Sequence, residues 1–177
     1  MAKASEIAGN ASDDVKETFR DLSTWLSRDG KPRGFAASVG LRLVVDEVSI
    51  LKKAEEPTRD EARLVCSLEV MEDMLNGAGS MHGGCSAYLI DFCSSLALSV
   101  HSAHAYGSPV FMVSQALNIV YHSPAVLGDK IRIVNTSIAL GARASSARTE
   151  IWNDTHHRLV ASGVHIKMQP SAPKTKL

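Results

Sequence analysis

The chain has 177 residues, which is enough to bury the core of one domain. It contains 19 Lys and Arg against 19 Asp and Glu, so its formal net charge is zero, whereas proteins that bind nucleic acid usually carry a basic excess. No run approaches the length of apolar sequence that a membrane span requires. The composition therefore argues against nucleic acid as a partner and against a membrane span.

The three cysteines are Cys66, Cys85 and Cys93. An odd number without paired spacing is typical of reduced thiols in an intracellular protein. No metal-ligand pattern such as Cys-x-x-Cys is present, so we expect neither a metal nor a cofactor. We expect a cytoplasmic protein. A peroxisome or a mitochondrion is left open, because residues 174–177 (KTKL) resemble a weak variant of the Ser-Lys-Leu peroxisomal address.

Residues 1–40 are interpreted as an N-terminal extension, loose over residues 1–10. From residue 12 to residue 28 the apolar positions Val15, Phe19, Leu22, Trp25 and Leu26 fall on one face, which predicts an amphipathic helix. The Asp-Gly pair at 29–30 would end that helix, and residues 30–40 would form a linker.

Six later segments have strand character and one long segment has helix character. The predicted strands cover residues 41–51, 62–71, 110–121, 130–140, 145–153 and 158–167. The helix, residues 82–100, lies between the second and third strands, and residues 101–109 connect it to the third. This order predicts an α+β fold in which an antiparallel sheet of about six strands wraps around a long central helix. The domain would cover residues 41–168, and residues 169–177 would be a flexible tail.

The central helix is apolar or small nearly all round, so we expect it to be buried on all sides. It nevertheless carries Asp91, and a buried carboxylate is costly unless it is paired. A structural explanation would be a hydrogen bond from Ser94 or Ser95. Gly83 and Gly84 stand at the helix start, where the first amides have no partner within the helix.

Two motifs resemble those of a known family. Residues 76–84 (NGAGSMHGG), followed by Asp91, are similar to the signature of hotdog-fold acyl-CoA thioesterases, in particular the small mammalian-type and phenylacetyl-CoA groups. Residues 114–125 (SQALNIVYHSPA), followed by Gly-Asp at 128–129, resemble the third-strand motif of that group. The resemblance covers about residues 40–168. It implies a hotdog fold, hydrolysis of acyl-CoA to free acid and CoA, and a homodimer, often paired into a homotetramer, with active sites at the dimer interface.

The resemblance also implies a role for each catalytic candidate. The amide of Gly83 would stabilise the oxyanion, and Asp91 would activate water or attack directly. Asn76 would help to hold the carbonyl or the water, Ser114 would orient the water, and His82 would support the helix start. The purely structural alternatives are that Gly83 forms a tight turn at the helix start and that Asn76 forms an ordinary Asn-Gly turn.

Coenzyme A would meet Gly84 and a hairpin that contains Gly141, Arg143 and Ser145. The family often has a basic residue directly after the hairpin glycine, where this chain has alanine, so the contacts with coenzyme A are left open. Charges on the strands, such as Lys167, are expected to be solvated.

Two other functions are compatible with the sequence. One is a hotdog hydratase or dehydratase of acyl thioesters, which would use an Asp/His or Glu/His pair. We expect no histidine on the Asp91 face of the helix, because His82 lies nine residues earlier. The other is a non-catalytic acyl-CoA-binding protein.

The preferred acyl group is also left open. A tunnel lined by Leu89, Phe92, Leu96 and Met112 would take long or aromatic acyl groups. The N-terminal extension would cover that tunnel or contribute to an oligomer contact.

Overall fold

The computed structural model describes residues 7–170, and the last seven residues, with the KTKL sequence and most of the predicted tail, lie outside that range. The helices are α1 (Asp13–Arg20), α2 (Ser23–Leu26), α3 (Ala37–Gly40) and α4 (Gly83–Tyr106), with a single 3-10 turn at Glu72–Met74. The strands are β1 (Ser27–Arg28), β2 (Lys31–Pro32), β3 (Val44–Lys52), β4 (Asp60–Glu69), β5 (Val113–Tyr121), β6 (Lys130–Leu140), β7 (Ala144–Asn153) and β8 (Arg158–Met168).

The main sheet has six strands in the order β3-β4-β6-β7-β8-β5, and every neighbouring pair is antiparallel. The strand β5 follows α4 in sequence but pairs with β8, so it occupies one edge of the sheet and β3 occupies the other. The predicted α+β fold, with about six strands around one long helix and an extra N-terminal helix, is confirmed.

The helix α4 packs its apolar residues against β4, β6 and β7. Leu89, Ile90 and Leu96 are almost completely buried at this contact. Gly163 on β8 permits the close approach of α4 and β5 to β8. A Cβ atom at this position would lie 2.9 Å from the carbonyl oxygen of Asn118 and 3.1 Å from Cγ2 of Ile90. By length and composition α4 could cross a membrane, but most of it is buried inside the protein, as in a core helix.

One face of α4 stays open in the single chain, so the expectation of burial on all sides was wrong. Cys85, Tyr88, Asp91, Phe92 and Ser95 are partly exposed along this face. They recur at helical spacing, and the neighbouring strand β5 is also exposed along most of its length.

The predicted helix over residues 12–28 is interrupted. Asp21 adopts an extended backbone conformation after α1, and its carboxylate accepts a hydrogen bond of 2.9 Å from the amide of Ser23. This side chain competes with the helical backbone bonds, so a second short helix starts at Ser23 and a small β1–β2 hairpin follows. The linker also contains a short helix, α3.

Two segments that were predicted to be irregular, residues 1–10 and residues 101–109, are more ordered than expected where the structure describes them. The amide of Ala8 donates to Asp46 and its carbonyl accepts from Val48, so residues 7–11 lie along the free edge of β3. The central helix continues six residues past Val100 and ends where Gly107 takes a left-handed conformation.

Candidate active site

Asp91 lies at the centre of a polar cluster between α4 and the strands β5 and β8. Its Oδ1 accepts a hydrogen bond of 2.9 Å from the hydroxyl of Ser114. The same oxygen lies 3.2 Å from Nε2 of His165, although the ring N–H is not aligned well enough to form a hydrogen bond. The carboxylate side chain is 45% exposed in the single chain, so it is supported from the protein side and open on the other.

Lys167 on β8 is buried at the edge of this cluster, and the expectation that it is a solvated strand charge was wrong. Its ammonium group donates to the hydroxyls of Ser95 at 2.7 Å and Ser114 at 3.3 Å. Burial lowers the pKa of Lys167, and the nearby charge of Asp91 acts in the opposite direction. The lysine therefore holds Ser114, which in turn contacts Asp91.

His165 is fully buried directly behind Asp91, and its Nδ1 lies 2.7 Å from the hydroxyl of Ser94. Burial and, to a smaller extent, the charge of Lys167 lower the pKa of His165, Asp91 opposes them, and the resulting pKa is about 4. The imidazole is therefore neutral at physiological pH. Because a carboxylate can only accept, the tautomer with hydrogen on Nε2 fits best beside Asp91.

His165 was not predicted from the sequence, because the prediction that no histidine lies on the Asp91 face concerned the helix alone. The signal was the period of two in β8, where Ala161, Gly163, His165 and Lys167 alternate with more exposed residues and face inward. Because β8 packs on the helix that carries Asp91, this alternation would have placed His165 and Lys167 near that carboxylate.

The start of α4 presents one free backbone donor. His82 is the residue before the helix, and its Nδ1 accepts a hydrogen bond of 2.8 Å from the amide of Gly84. The amide of Gly83 has no acceptor among residues 7–170, while its carbonyl accepts from the hydroxyl of Tyr121 at 3.1 Å. The helix dipole adds partial positive charge here, so the Gly83 amide is suited to bind an anionic oxygen.

Asn76 lies in a turn next to this helix start, because Leu75 and Met81 form an antiparallel bridge. Its Oδ1 accepts from the amides of Ala78 at 2.9 Å and Ser80 at 3.2 Å. This turn fixes the side chain and leaves its Nδ2 hydrogens as donors.

The sequence-predicted residues form two groups within one chain. Asp91 and Ser114 are in contact, and Gly83, His82 and Asn76 cluster at the start of α4. Eight residues separate Gly83 from Asp91 on the same helix, which corresponds to about 12 Å along its axis. That distance is too great for both groups to act on one carbonyl in the same chain.

The hairpin between β6 and β7 carries the other predicted contacts. Arg143 is exposed, whereas Ser145 is buried and its hydroxyl lies 3.3 Å from the amide of Gly141. The serine thus holds the hairpin, and the arginine is the group free to meet a ligand.

The cysteine thiols are unsuited to act as nucleophiles. Burial, with a smaller effect from Asp73, raises the pKa of Cys85 to about 11, and the other two cysteines are completely buried. Among residues 7–170 there is also no group of three or more His, Cys, Asp or Glu side chains that could hold a metal ion.

Comparison with known proteins gives consistent matches. Residues 78–160 match the model of the thioesterase superfamily. The chain is 33% identical over 128 residues to acyl-coenzyme A thioesterase 13 of Mus musculus, which covers 72% of this chain and 84% of that protein. The same protein of Homo sapiens is 33% identical over 105 residues, 59% of this chain and 71% of that one.

Solved structures agree with the fold. Zebra fish thioesterase superfamily member 2 superposes with a TM-score of 0.66 at 25% identity, over 87% of this chain and 97% of that one. The mouse thioesterase superfamily member 2 gives a TM-score of 0.54 at 33% identity, over 61% and 81% of the two chains.

A six-stranded antiparallel sheet that packs on one long helix is the hotdog fold of these thioesterases. The matched residues 78–160 include the start of α4, Asp91 and Ser114. With the similarity extending over most of both chains, the protein belongs to the thioesterase superfamily.

Proposed function

We propose that the protein hydrolyses acyl-CoA thioesters to a free acid and CoA, with Asp91 of one copy and Gly83 of a second copy acting on the same thioester. The relatives that carry the name acyl-coenzyme A thioesterase support the substrate class. The observation that carries the mechanism is the half-exposed carboxylate of Asp91 fixed by the hydroxyl of Ser114.

Asp91 supplies the base in this proposal. A water molecule between the carboxylate and the thioester gives a proton to Asp91 while its oxygen forms a bond to the carbonyl carbon. The C–S bond then breaks, and the CoA thiolate leaves and takes up a proton. Direct attack by the carboxylate to form an anhydride is the other route, and both routes require ionised Asp91.

The negative charge on the carbonyl oxygen requires donors on the opposite side. The amide of Gly83 is held at the start of α4 by the helix backbone, and the side chain of Asn76 is held in the neighbouring turn by the amides of Ala78 and Ser80. Donors that are held in place before the reaction stabilise a developing oxyanion most effectively.

The separation of about 12 Å between Gly83 and Asp91 along α4 supports a homodimer with two shared sites. Both β5 and the open face of α4 are available for this contact. Pairing of the β5 edges would join the two sheets and bring the helix start of one copy toward Asp91 of the other. We further propose that such dimers pair into a homotetramer.

Coenzyme A would lie along the start of α4 and the β6–β7 hairpin. Gly84 allows close approach of the ligand to the helix start, and Arg143 is exposed at the hairpin to meet phosphate groups. Gly141 and Ser145 shape the hairpin through their mutual contact.

The pair of Asp91 and His165 is the observation that favours a hydratase or dehydratase instead. His165 is completely buried, and its Nδ1 is in hydrogen-bond contact with the hydroxyl of Ser94. It therefore cannot deliver a proton to a substrate. This burial supports hydrolysis over water addition. We also propose an intracellular location, because all three cysteines are free.

Release of free thiol from acyl-CoA tests the proposal. The wild type should release CoA, and Asp91→Asn should lower kcat by about 100-fold or more, because the isosteric amide cannot accept the proton of water. Asp154→Asn is the matched control, since Asp154 forms an ion pair with Arg132 on the surface.

Unchanged turnover in Asp91→Asn would contradict the assignment. Tight acyl-CoA binding without thiol release at any chain length would support a non-catalytic binder, and water addition to an enoyl-CoA without thiol release would support a hydratase.

A further inference from the structure

A narrow cavity of about 160 Å³ lies beside the polar cluster of Asp91. Its apolar wall comes from α4, from the segment that leads into β5, and from the N-terminal segment. The apolar lining residues are Trp25, Phe92, Leu96, Leu98, Val110, Phe111 and Met112. Three of the four residues expected to line an acyl tunnel line this cavity, namely Phe92, Leu96 and Met112. The fourth, Leu89, is buried in the core.

The cavity adjoins the reacting groups through two of its polar lining residues. Ser95 lines it and donates a hydrogen bond of 2.6 Å to the carbonyl oxygen of Asp91. Lys167 lines it and donates to Ser114, which contacts the carboxylate of Asp91. An acyl group whose carbonyl carbon lies at Asp91 can therefore extend into this space.

We propose that this cavity binds the acyl group and that Trp25 limits it to compact groups, such as a phenylacetyl group or a chain of about six carbons. This inference rests on the proposed function. The volume of the cavity supports this limit, because an apolar cavity of about 150 Å³ in a protein holds a benzene molecule. A chain of twelve or more carbons exceeds the space.

Trp25 is held in the wall by its contact with the core residue Phe19. The two rings stack with centroids 5.6 Å apart, and Phe19 is completely buried. The ring of Phe111 also contacts Trp25, with centroids 5.2 Å apart. An aromatic wall held by a core residue yields less readily to a longer chain than a free side chain would. The N-terminal segment, outside the matched residues 78–160, thus sets the acyl specificity.

The test is kcat/KM for thiol release across saturated acyl-CoA substrates of 2 to 16 carbons and phenylacetyl-CoA. For the wild type we expect a maximum at about six carbons or with phenylacetyl, and a fall beyond eight carbons. Each methylene that fits an apolar pocket changes kcat/KM by about tenfold or more. Trp25→Ala should therefore raise the ratio of dodecanoyl-CoA to hexanoyl-CoA turnover by at least about tenfold.

Phe111→Ala gives a second test in case Trp25→Ala does not fold, because Phe111 is largely exposed and its removal disturbs the core little. Trp152→Ala is the matched control, since Trp152 lies on β7 and donates to Glu150 away from the cavity. It should leave the substrate profile unchanged.

A wild-type maximum at 14–16 carbons, or profiles of Trp25→Ala and Phe111→Ala that coincide with that of the wild type, would overturn the inference while hydrolysis itself stands. Absence of thiol release by the wild type with every substrate would overturn the proposed function, and this inference with it.

Discussion

Asp91 combines two properties that rarely occur together in a side chain of a core helix. Its Oδ1 contacts Ser114 and His165, while the carboxylate is close to half exposed. The neutral imidazole behind it occupies space without adding a positive charge that would pair with the carboxylate and weaken it as a base. The residue is thus oriented by the protein and still able to accept a proton.

The lowered pKa of His165 gives a prediction for stability against pH. Protonation favours the unfolded chain, where the pKa has its ordinary value of 6.5, over the folded chain, where it is about 4. The stability that comes from the neutral buried imidazole is therefore present above pH 6.5 and is lost as the pH falls from 6.5 through 4. His165→Gln should flatten the dependence of the free energy of unfolding on pH in this window.

Denaturant unfolding at several pH values measures this effect, with His122→Gln as the control because His122 is an exposed histidine. If His165→Gln and the wild type lose stability in parallel between pH 6.5 and 4, the imidazole is not buried neutral as described.

Sequence reasoning found part of the site. Asp91, Ser114 and the glycines of the helix start were predicted from motifs in which spacing along the chain carries the information. The contacts of His165 and Lys167 join residues 53 to 72 positions apart, so no local motif contains them. They depend on which strand packs behind the helix, and that is decided by the fold.

Among the elements, α4 provides candidate groups at two places, its start and its middle. The amide of Gly83 has no acceptor among residues 7–170, because the first amides of a helix lack a partner within it and the ring of His82 accepts from Gly84 instead. Its middle carries Asp91 on the open face. The capping arrangement is local and was indicated by the sequence, whereas the open face became apparent once the packing of the sheet was known.

Substitution of Gly83 by proline tests the free amide directly. Proline is tolerated at the first position of a helix, and His82 already has the extended conformation that a residue before proline prefers. Gly83→Pro removes the N–H, whereas Gly83→Ala keeps it and places a Cβ atom at ordinary contact distance, 3.4 Å from the ring of Tyr121. We expect Gly83→Pro to have a kcat/KM about 100-fold or more below that of Gly83→Ala.

Circular dichroism of both variants serves as the control for helix content. Equal activity of Gly83→Pro and Gly83→Ala would show that this amide does not stabilise the oxyanion.

The N-terminal elements show that the spacing of apolar residues does not by itself predict backbone conformation. The apolar spacing over residues 12–28 predicted one helix, and the buried positions Phe19, Leu22 and Leu26 do face the core. The interruption at Asp21 leaves them buried because Leu26 of α2 belongs to the same core as Phe19 and Leu22. Helical spacing therefore identified the buried residues correctly but not the backbone that presents them.

At the scale of the molecule, one chain places the amide of Gly83 and the carboxylate of Asp91 about 12 Å apart along one helix. The exposed strand β5, with Val113, Val120 and Tyr121 among its exposed side chains, provides an edge where a second chain can pair. A twofold contact of this kind would produce two equivalent sites, each made from both chains. The order of the elements predicted the fold, but the sharing of the site came from the resemblance and is now supported by the separation along α4.

Complementation between two inactive variants tests this sharing most directly. We expect Asp91→Asn and Gly83→Pro each to be inactive alone, but a mixed dimer contains one site with neither substitution if Asp91 and Gly83 come from different chains. Refolding the two variants together in equal amounts should restore about a quarter of the wild-type thiol release, because half of the dimers are mixed and each has one intact site. Mixed dimers that form but release no more thiol than the separate variants would contradict a site shared between two copies.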